Sequence, residues 1–242
     1  MRDRRLATEH ARALLAGARA DRPRAGSGPA APTAPVAVKL CGLTRPRDVG
    51  AANAAAPDMA GFVVDVPSSR RSVGFEALVD LLAALDPRVA AVGVFVDEPP
   101  ELVGLAVAAG VDVVQLHGHE DDAYLRRLRA TLPAGVPVIQ GFLVAGPDDV
   151  ERADASAADL ILLDGGRGQG RPFDWGLLAG VTRPYVLAGG LGPDNVALAL
   201  RAAARAGARP WGVDMSSGVE TDGAKDPTKM AAAVAAAKGA ER

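Results

Sequence analysis

From Val36 onward the chain repeats one beat: a run of aliphatic residues, a polar or glycine-rich turn, then a stretch whose apolar positions recur every three or four residues. The aliphatic runs are Val36–Leu40, Met59–Val64, Val89–Val96, Val111–Leu116, Val136–Phe142, Leu160–Leu163, Tyr185–Ala188 and Trp211–Met215. They are continuous rather than alternating, the pattern of parallel strands covered on one face and filled on the other. Between them, Phe75, Leu78, Leu82 and Leu85, then Leu125, Leu128 and Leu132, then Val196, Leu200, Ala203 and Ala204, fall at helical spacing. Shorter helices are expected over Arg47–Ala55, over Glu101–Ala109 with Leu102, Leu105 and Ala109 on one face, over Pro147–Arg152, and from Asp174 to Leu178. Start signals accompany several of them. Thr44 is a candidate cap with Pro46 in the first turn, Pro193 stands near an N1 position, and Asp226 caps a last helix opened by Pro227 and carrying Met230, Val234 and Ala237.

Eight strands alternating with eight helices within residues 36–242 predict an α/β fold, a (β/α)8 TIM barrel with an N-terminal extension. An open doubly wound sheet is the alternative, but it usually has fewer strands, and its glycine fingerprint does not follow the first strand here. Residues 1–35 are expected to be an extension and linker outside the barrel. Ala7, Ala11, Leu14 and Ala18 could form a weakly apolar helix face, while Pro23–Pro35 is too rich in Pro, Ala and Gly to offset its ordering entropy by burial. A tail without fixed structure is favoured over a helix docked on a neighbour. The segment lacks the long apolar stretch of a secretory signal.

Composition narrows the function. With 49% hydrophobic residues the chain can fill one sizeable core. A net charge of −2 gives no basic field to attract nucleic acid or a membrane surface. No run of about 18 apolar residues is present to span a bilayer. The single cysteine, Cys41, cannot form an internal disulfide, which fits a reducing cytoplasm.

In such a barrel the chemistry sits at the C-terminal ends of the strands. That rule selects Cys41, Ser69–Arg71, Asp97, Gln115 with His117, Asp164, Gly189–Gly190 and Asp214–Glu220. Cys41 could be a small buried hydrophobe or a base. It stands at a strand end, and Lys39, two residues back on the same face, would lower its pKa. Asp164 could cap the Gly165-Gly166 turn or act as a general acid with its pKa raised by partial burial. Gly189 and Gly190 after the seventh strand, and Ser216, Ser217 and Gly218 after the eighth, let backbone N–H groups approach an anion, with a short helix expected to aim its positive end there. Either cluster could be an ordinary turn; together they point to a phosphorylated ligand. Arg70 and Arg71 could be a solvated pair or could hold a carboxylate. His117 and His119 have a tempting spacing, but no further ligand supports a metal site, so none is expected and Gln115 and His117 are read as lining the mouth.

Several of these stretches resemble one family in order and spacing: Lys39-Leu40-Cys41-Gly42-Leu43-Thr44-Arg45, Val113-Val114-Gln115-Leu116-His117-Gly118-His119-Glu120, Leu163-Asp164, Phe173-Asp174-Trp175, Gly189-Gly190-Leu191-Gly192-Pro193-Asp194-Asn195-Val196, and Val213-Asp214-Met215-Ser216-Ser217-Gly218-Val219-Glu220 with Lys225-Asp226 beyond. From about Val36 to Ala237 the chain is similar to the phosphoribosylanthranilate isomerases of tryptophan biosynthesis. The resemblance implies an Amadori rearrangement of a phosphosugar, with Asp164 as the acid that protonates the furanose ring oxygen and Cys41 as the base that removes the C2′ proton. It implies Arg71 on the anthranilate carboxylate, or Arg70 if the register slips by one. Lys39, Gln115, His117 and Asp214 are expected around the substrate, and Gly189, Gly190, Ser216, Ser217 and Gly218 around its phosphate. No cofactor or metal is implied, because the anthranilate nitrogen serves as electron sink. The partner is a small molecule, not nucleic acid or membrane, and monomer and homodimer both stay open. Two departures stand out: the short loop Gly165–Pro172, with Gln169 for the usual small hydroxyl residue, and Gln140-Gly141-Phe142 where a basic residue is usual. A histidine-pathway isomerase shares fold and chemistry but has an aspartate where Cys41 stands. A non-catalytic phosphosugar-binding barrel would keep the two loops and lose the acid or the base.

Overall fold

The computed structural model of the protein describes residues 4–20, 35–166 and 175–240. Eight strands form the barrel: β1 (Ala37–Cys41), β2 (Met59–Val64), β3 (Ala90–Phe95), β4 (Val113–Leu116), β5 (Val138–Leu143), β6 (Leu160–Asp164), β7 (Tyr185–Ala188) and β8 (Gly212–Met215). Each pairs in parallel with the next, and β8 pairs back onto β1, so the sheet closes and leaves no free edge. A two-residue strand, Ser72–Val73, pairs in parallel beside Val63 and Val64 at the C-terminal end of β2.

Two apolar layers hold this ring. Outward-facing side chains such as Val38, Leu40, Val114, Ile161, Leu163 and Val213 pack under the helices. Inward-facing ones, among them Ala37, Met59, Val92, Val113, Ile139, Leu160, Leu162 and Val186, fill the interior. Because successive strand residues point to opposite faces, both sets come from uninterrupted aliphatic runs.

The connecting helices are α2 (Pro46–Ala55), α3 (Phe75–Ala84), α4 (Pro100–Ala109), α5 (Asp122–Thr131), α6 (Pro147–Asp154), α7 (Val196–Arg205) and α8 (Pro227–Gly239), preceded by α1 (Arg4–Ala20) outside the repeating pattern. Between β6 and β7 the expected sixth helix is replaced by a six-residue 3₁₀ segment, Trp175–Gly180; glycines at 176 and 180 leave little to propagate an α-helix. Asp174, its expected first residue, lies outside the described residues, as does most of the loop after Asp164. On α4 the buried face is Val103, Ala106 and Val107, whereas Leu102 and Leu105 are 47% and 55% exposed, the reverse of the expected face. Thr44 does not cap α2. The buried Asp48 at N3 accepts from the backbone N–H of Thr44 and Arg45 instead. Pro193 lies in a turn ahead of α7, whose cap is Asn195. Asp226 does cap α8, accepting from the N–H of Thr228 and Lys229.

Helix α1 buries Ala7, Ala11 and Leu15. Ala11 and Leu15 belong to the same cluster as Ala37, Met59, Ala90, Val113 and Trp211, so the helix lies across the N-terminal end of the barrel, opposite the C-terminal mouth. Arg12 donates to the carbonyl of Ala134. No helix among the described residues is long and apolar enough to cross a membrane.

Candidate active site

The two-residue period of β1 turns Ala37, Lys39 and Cys41 into the barrel and Val38 and Leu40 out of it. Lys39 is fully buried, and its Nζ donates at 3.0 Å to both carboxylate oxygens of Asp214, the residue paired with it on β8. Cys41 is paired with Gly61 on β2. A Cβ at Gly61 would stand 2.8 Å from the Cys41 Sγ and 3.0 Å from the Lys39 Nζ, so the absent side chain is what gives this thiol and this ammonium room to meet.

Three charges fix the behaviour of the pair. Burial alone would depress the Lys39 ammonium, but the Asp214 carboxylate and the neighbouring Cys41 outweigh it and hold the pKa above its ordinary value. Burial pushes the Cys41 thiol up; Lys39 opposes this, as the sequence led one to expect, without reversing it. The net direction therefore differs from the expected lowering. Cys41 is a more basic sulfur than a free cysteine, with a cation beside it to receive the developing thiolate. Replacing Lys39 by methionine should cost about 3 kcal/mol of stability, because Asp214, its side chain only 10% exposed, is left without its counter-ion. Equilibrium denaturation checks this, and a loss below about 1 kcal/mol would mean the pair is not what holds Asp214.

Asp164 ends β6, facing inward after Leu160 and Leu162. Its Oδ1 accepts from the N–H of Gly166 at 2.9 Å, and its Oδ2 lies 3.7 Å from the His117 Nε2. Gln115 Nε2 is 3.4 Å from the other ring nitrogen of His117. A side chain at Gly141 would run into that ring. Gln115, His117 and Asp164 thus form one arc of the mouth. Gln140 takes no part in it: its amide donates to the Glu120 carbonyl and accepts from the Ser156 hydroxyl. His119 is 94% exposed and bonded to Asp97, so the two histidines serve different partners. Among the described residues no group of three or more His, Cys, Asp or Glu converges as metal ligands would.

The loops after β7 and β8 touch. A Cβ at Gly192 would come within 2.7 Å of the Gly218 carbonyl oxygen, so backbone packs on backbone there. Gly189 and Gly190 both adopt positive φ (104° and 64°), which an L side chain resists. The helix expected after β8 is a single 3₁₀ turn, Ser217–Val219, so an anion here would rest on individual N–H groups rather than on a long helix dipole. Ser216 Oγ donates to the Cys41 carbonyl at 3.1 Å, tying this loop to the end of β1.

Arg71 lies just before the short strand paired with the end of β2, and its Cδ occupies the space over Gly42, beside Cys41. It is 17% exposed against 52% for Arg70, so Arg71 is the inner of the two. Both arginines reach Glu220. Neither Glu220, nor Lys225 beside it, nor Gly61 is singled out individually as a site residue by the sequence. Glu220 and Arg71 are 149 positions apart and meet only because the second and eighth loops adjoin in a closed ring.

A closed parallel barrel with a thiol, a carboxylate and two glycine-rich loops gathered at the C-terminal mouth is an α/β-barrel of the kind that works on small phosphorylated ligands. The family model described as N-(5'phosphoribosyl)anthranilate (PRA) isomerase matches residues 38–236, and the chain belongs to that family. An N-(5'-phosphoribosyl)anthranilate isomerase of Endomicrobium trichonymphae is 40% identical over 199 residues, covering 80% of this chain and 94% of its own. The crystal structure of the Thermotoga maritima phosphoribosyl anthranilate isomerase superposes with a TM-score of 0.74 at 34% identity, covering 84% of this chain and 99% of that one. Another phosphoribosyl anthranilate isomerase, solved with reduced 1-(o-carboxyphenylamino)-1-deoxyribulose 5-phosphate, superposes at 0.72 with 35% identity over 84% and 99%. The Phe173-Asp174 part of the resemblance, and the loop from 167 to 172, lie outside the described residues.

Proposed function

We infer that this chain isomerises N-(5′-phosphoribosyl)anthranilate to 1-(2-carboxyphenylamino)-1-deoxyribulose 5-phosphate, the Amadori step of tryptophan biosynthesis. The observation that carries the inference is the pairing of family membership with an inward-facing Cys41 and an inward-facing Asp164, on strands from different sectors of one mouth. In this reading Asp164 gives its proton to the furanose ring oxygen as the C1′–O bond breaks, and the anthranilate nitrogen supplies the electron pair for the resulting iminium. Cys41, as thiolate, takes the C2′ proton, and the released electron pair forms the enolamine. Protonation at C1′ and loss of the enol O–H proton from the C2′ oxygen yield the ketone, so the sequence is a net tautomerisation in which no electrons enter or leave the molecule.

Three further contacts complete the reading. Arg71 holds the anthranilate carboxylate, the loops at Gly189–Gly190 and Ser216–Gly218 hold the phosphate, and Gln115 and His117 border the sugar. Lys39 and Asp214 act from beneath, through the charge they place on Cys41. The test is a turnover assay following the fluorescence of phosphoribosylanthranilate, run beside the aminoimidazole substrate of the histidine pathway. Consumption of the first without the second is expected; the opposite preference would overturn the assignment. Inorganic phosphate should compete with substrate at millimolar concentration, and an absence of inhibition there would count against the two-loop anion site.

A further inference from the structure

Glu220 gathers three cationic side chains, Arg70, Arg71 and Lys225, on one carboxylate. Its side chain is 5% exposed and receives four charged hydrogen bonds. Arg71 donates from Nε to Oε1 at 2.6 Å and from Nη2 to Oε2 at 2.9 Å. Arg70 Nη2 donates to Oε2 at 2.6 Å and Lys225 Nζ to Oε1 at 2.8 Å. Burial opposes the charge on Glu220, but the bonds from Arg71 and Lys225 overcome it and bring the pKa down to about 2. The carboxylate is therefore ionised at neutral pH.

We propose that Glu220 is a positioning residue that sets which edge of the Arg71 guanidinium faces the substrate and at what distance from the phosphate loop. The proposal rests on the reading of Arg71 as the carboxylate binder. A guanidinium offers a side-on edge, Nε with one Nη, and an end-on edge formed by the two Nη nitrogens. Glu220 occupies the side-on edge of Arg71 completely. What remains for a planar carboxylate is the end-on edge. The same carboxylate anchors Lys225, whose Nζ also donates to the Ser216 carbonyl at 2.9 Å. One anion thus joins the residue that would hold the carboxylate end of the substrate to the loop that would hold its phosphate end. The local fold serves this arrangement: Glu220 and Lys225 are paired across a two-residue-per-strand hairpin directly after the Ser217–Val219 turn, which brings carboxylate and ammonium into register.

The test compares E220Q, R71Q and the double variant in steady-state turnover of phosphoribosylanthranilate. E220Q should raise KM about tenfold or more, the worth of a lost charged contact, with kcat changed by less than about threefold. It should weaken the reduced product analogue, which carries the carboxylate, by a similar factor, and leave inhibition by inorganic phosphate within about twofold. Because Glu220 would act through Arg71, the double variant should be no worse than R71Q alone. An unchanged KM in E220Q, or multiplying losses in the double variant, would overturn the proposal. If R71Q itself leaves KM unchanged, the reading of Arg71 fails instead, and the two failures are distinct. Should E220Q not fold, E220D keeps the charge and withdraws it by one methylene. A tenfold rise in KM then supports the proposal and an unchanged KM overturns it.

Discussion

Asp164→Asn should lower kcat by about a hundredfold or more while changing KM little. Asparagine keeps the shape of the side chain and can still accept the Gly166 N–H through its amide oxygen, so the end of β6 should hold. What it loses is a transferable proton at the position assigned to the furanose ring oxygen. Ground-state binding through phosphate and carboxylate is untouched, which is why the loss belongs in kcat. An alternative donor close by is His117, whose Nε2 stands 3.7 Å from the Asp164 carboxylate. Nearly native turnover by the Asp164→Asn variant would transfer the role of acid to that histidine or to another group.

Cys41→Ser should cost a comparable factor, again about a hundredfold or more in kcat. The hydroxyl fits the space that Gly61 leaves and retains the neighbouring Lys39, but it is far less acidic than a thiol and does not become an anion in the working range. The thiol of Cys41 sits above its ordinary pKa because of burial, with Lys39 pulling the other way. The base must be deprotonated to act, so kcat/KM should climb as pH rises toward the thiol's pKa, and this limb should vanish in the serine variant. Near-native turnover by the serine variant would remove Cys41 from the chemistry.

Much of this is legible in the chain. The eight aliphatic runs mark the strands to within a few residues, because a strand covered on both faces needs no polar interruption and its ends are set by turn residues. The strand-end rule then picks out Cys41 and Asp164 with no knowledge of their surroundings. What escapes is decided by residues far apart. Lys39 and Asp214 are separated by 175 positions, and their bidentate pairing follows from β1 closing on β8. Glu220 reads as the last residue of a glycine-rich stretch, yet its partners come from the second loop and from its own hairpin. The thiol's pKa moves opposite to expectation because sequence shows the lysine but not the depth of burial around the sulfur. On α4, Leu102 and Leu105 share a face, as spacing requires, but which face meets the barrel depends on how the helix is laid down, and Val103, Ala106 and Val107 take that place. Local chemistry also competes at α2, where Asp48 at N3 displaces Thr44 as the capping group.

The central claim is that Cys41 and Asp164 act on one sugar held between them. The most direct measurement is a crystal structure of this chain with reduced 1-(o-carboxyphenylamino)-1-deoxyribulose 5-phosphate bound. The account predicts the Cys41 Sγ and an Asp164 carboxylate oxygen each within about 4 Å of the ribulose chain, on different sides of it, with the phosphate in the loops at Gly189–Gly190 and Ser216–Gly218. A ligand whose sugar lies beyond the reach of either group would contradict it.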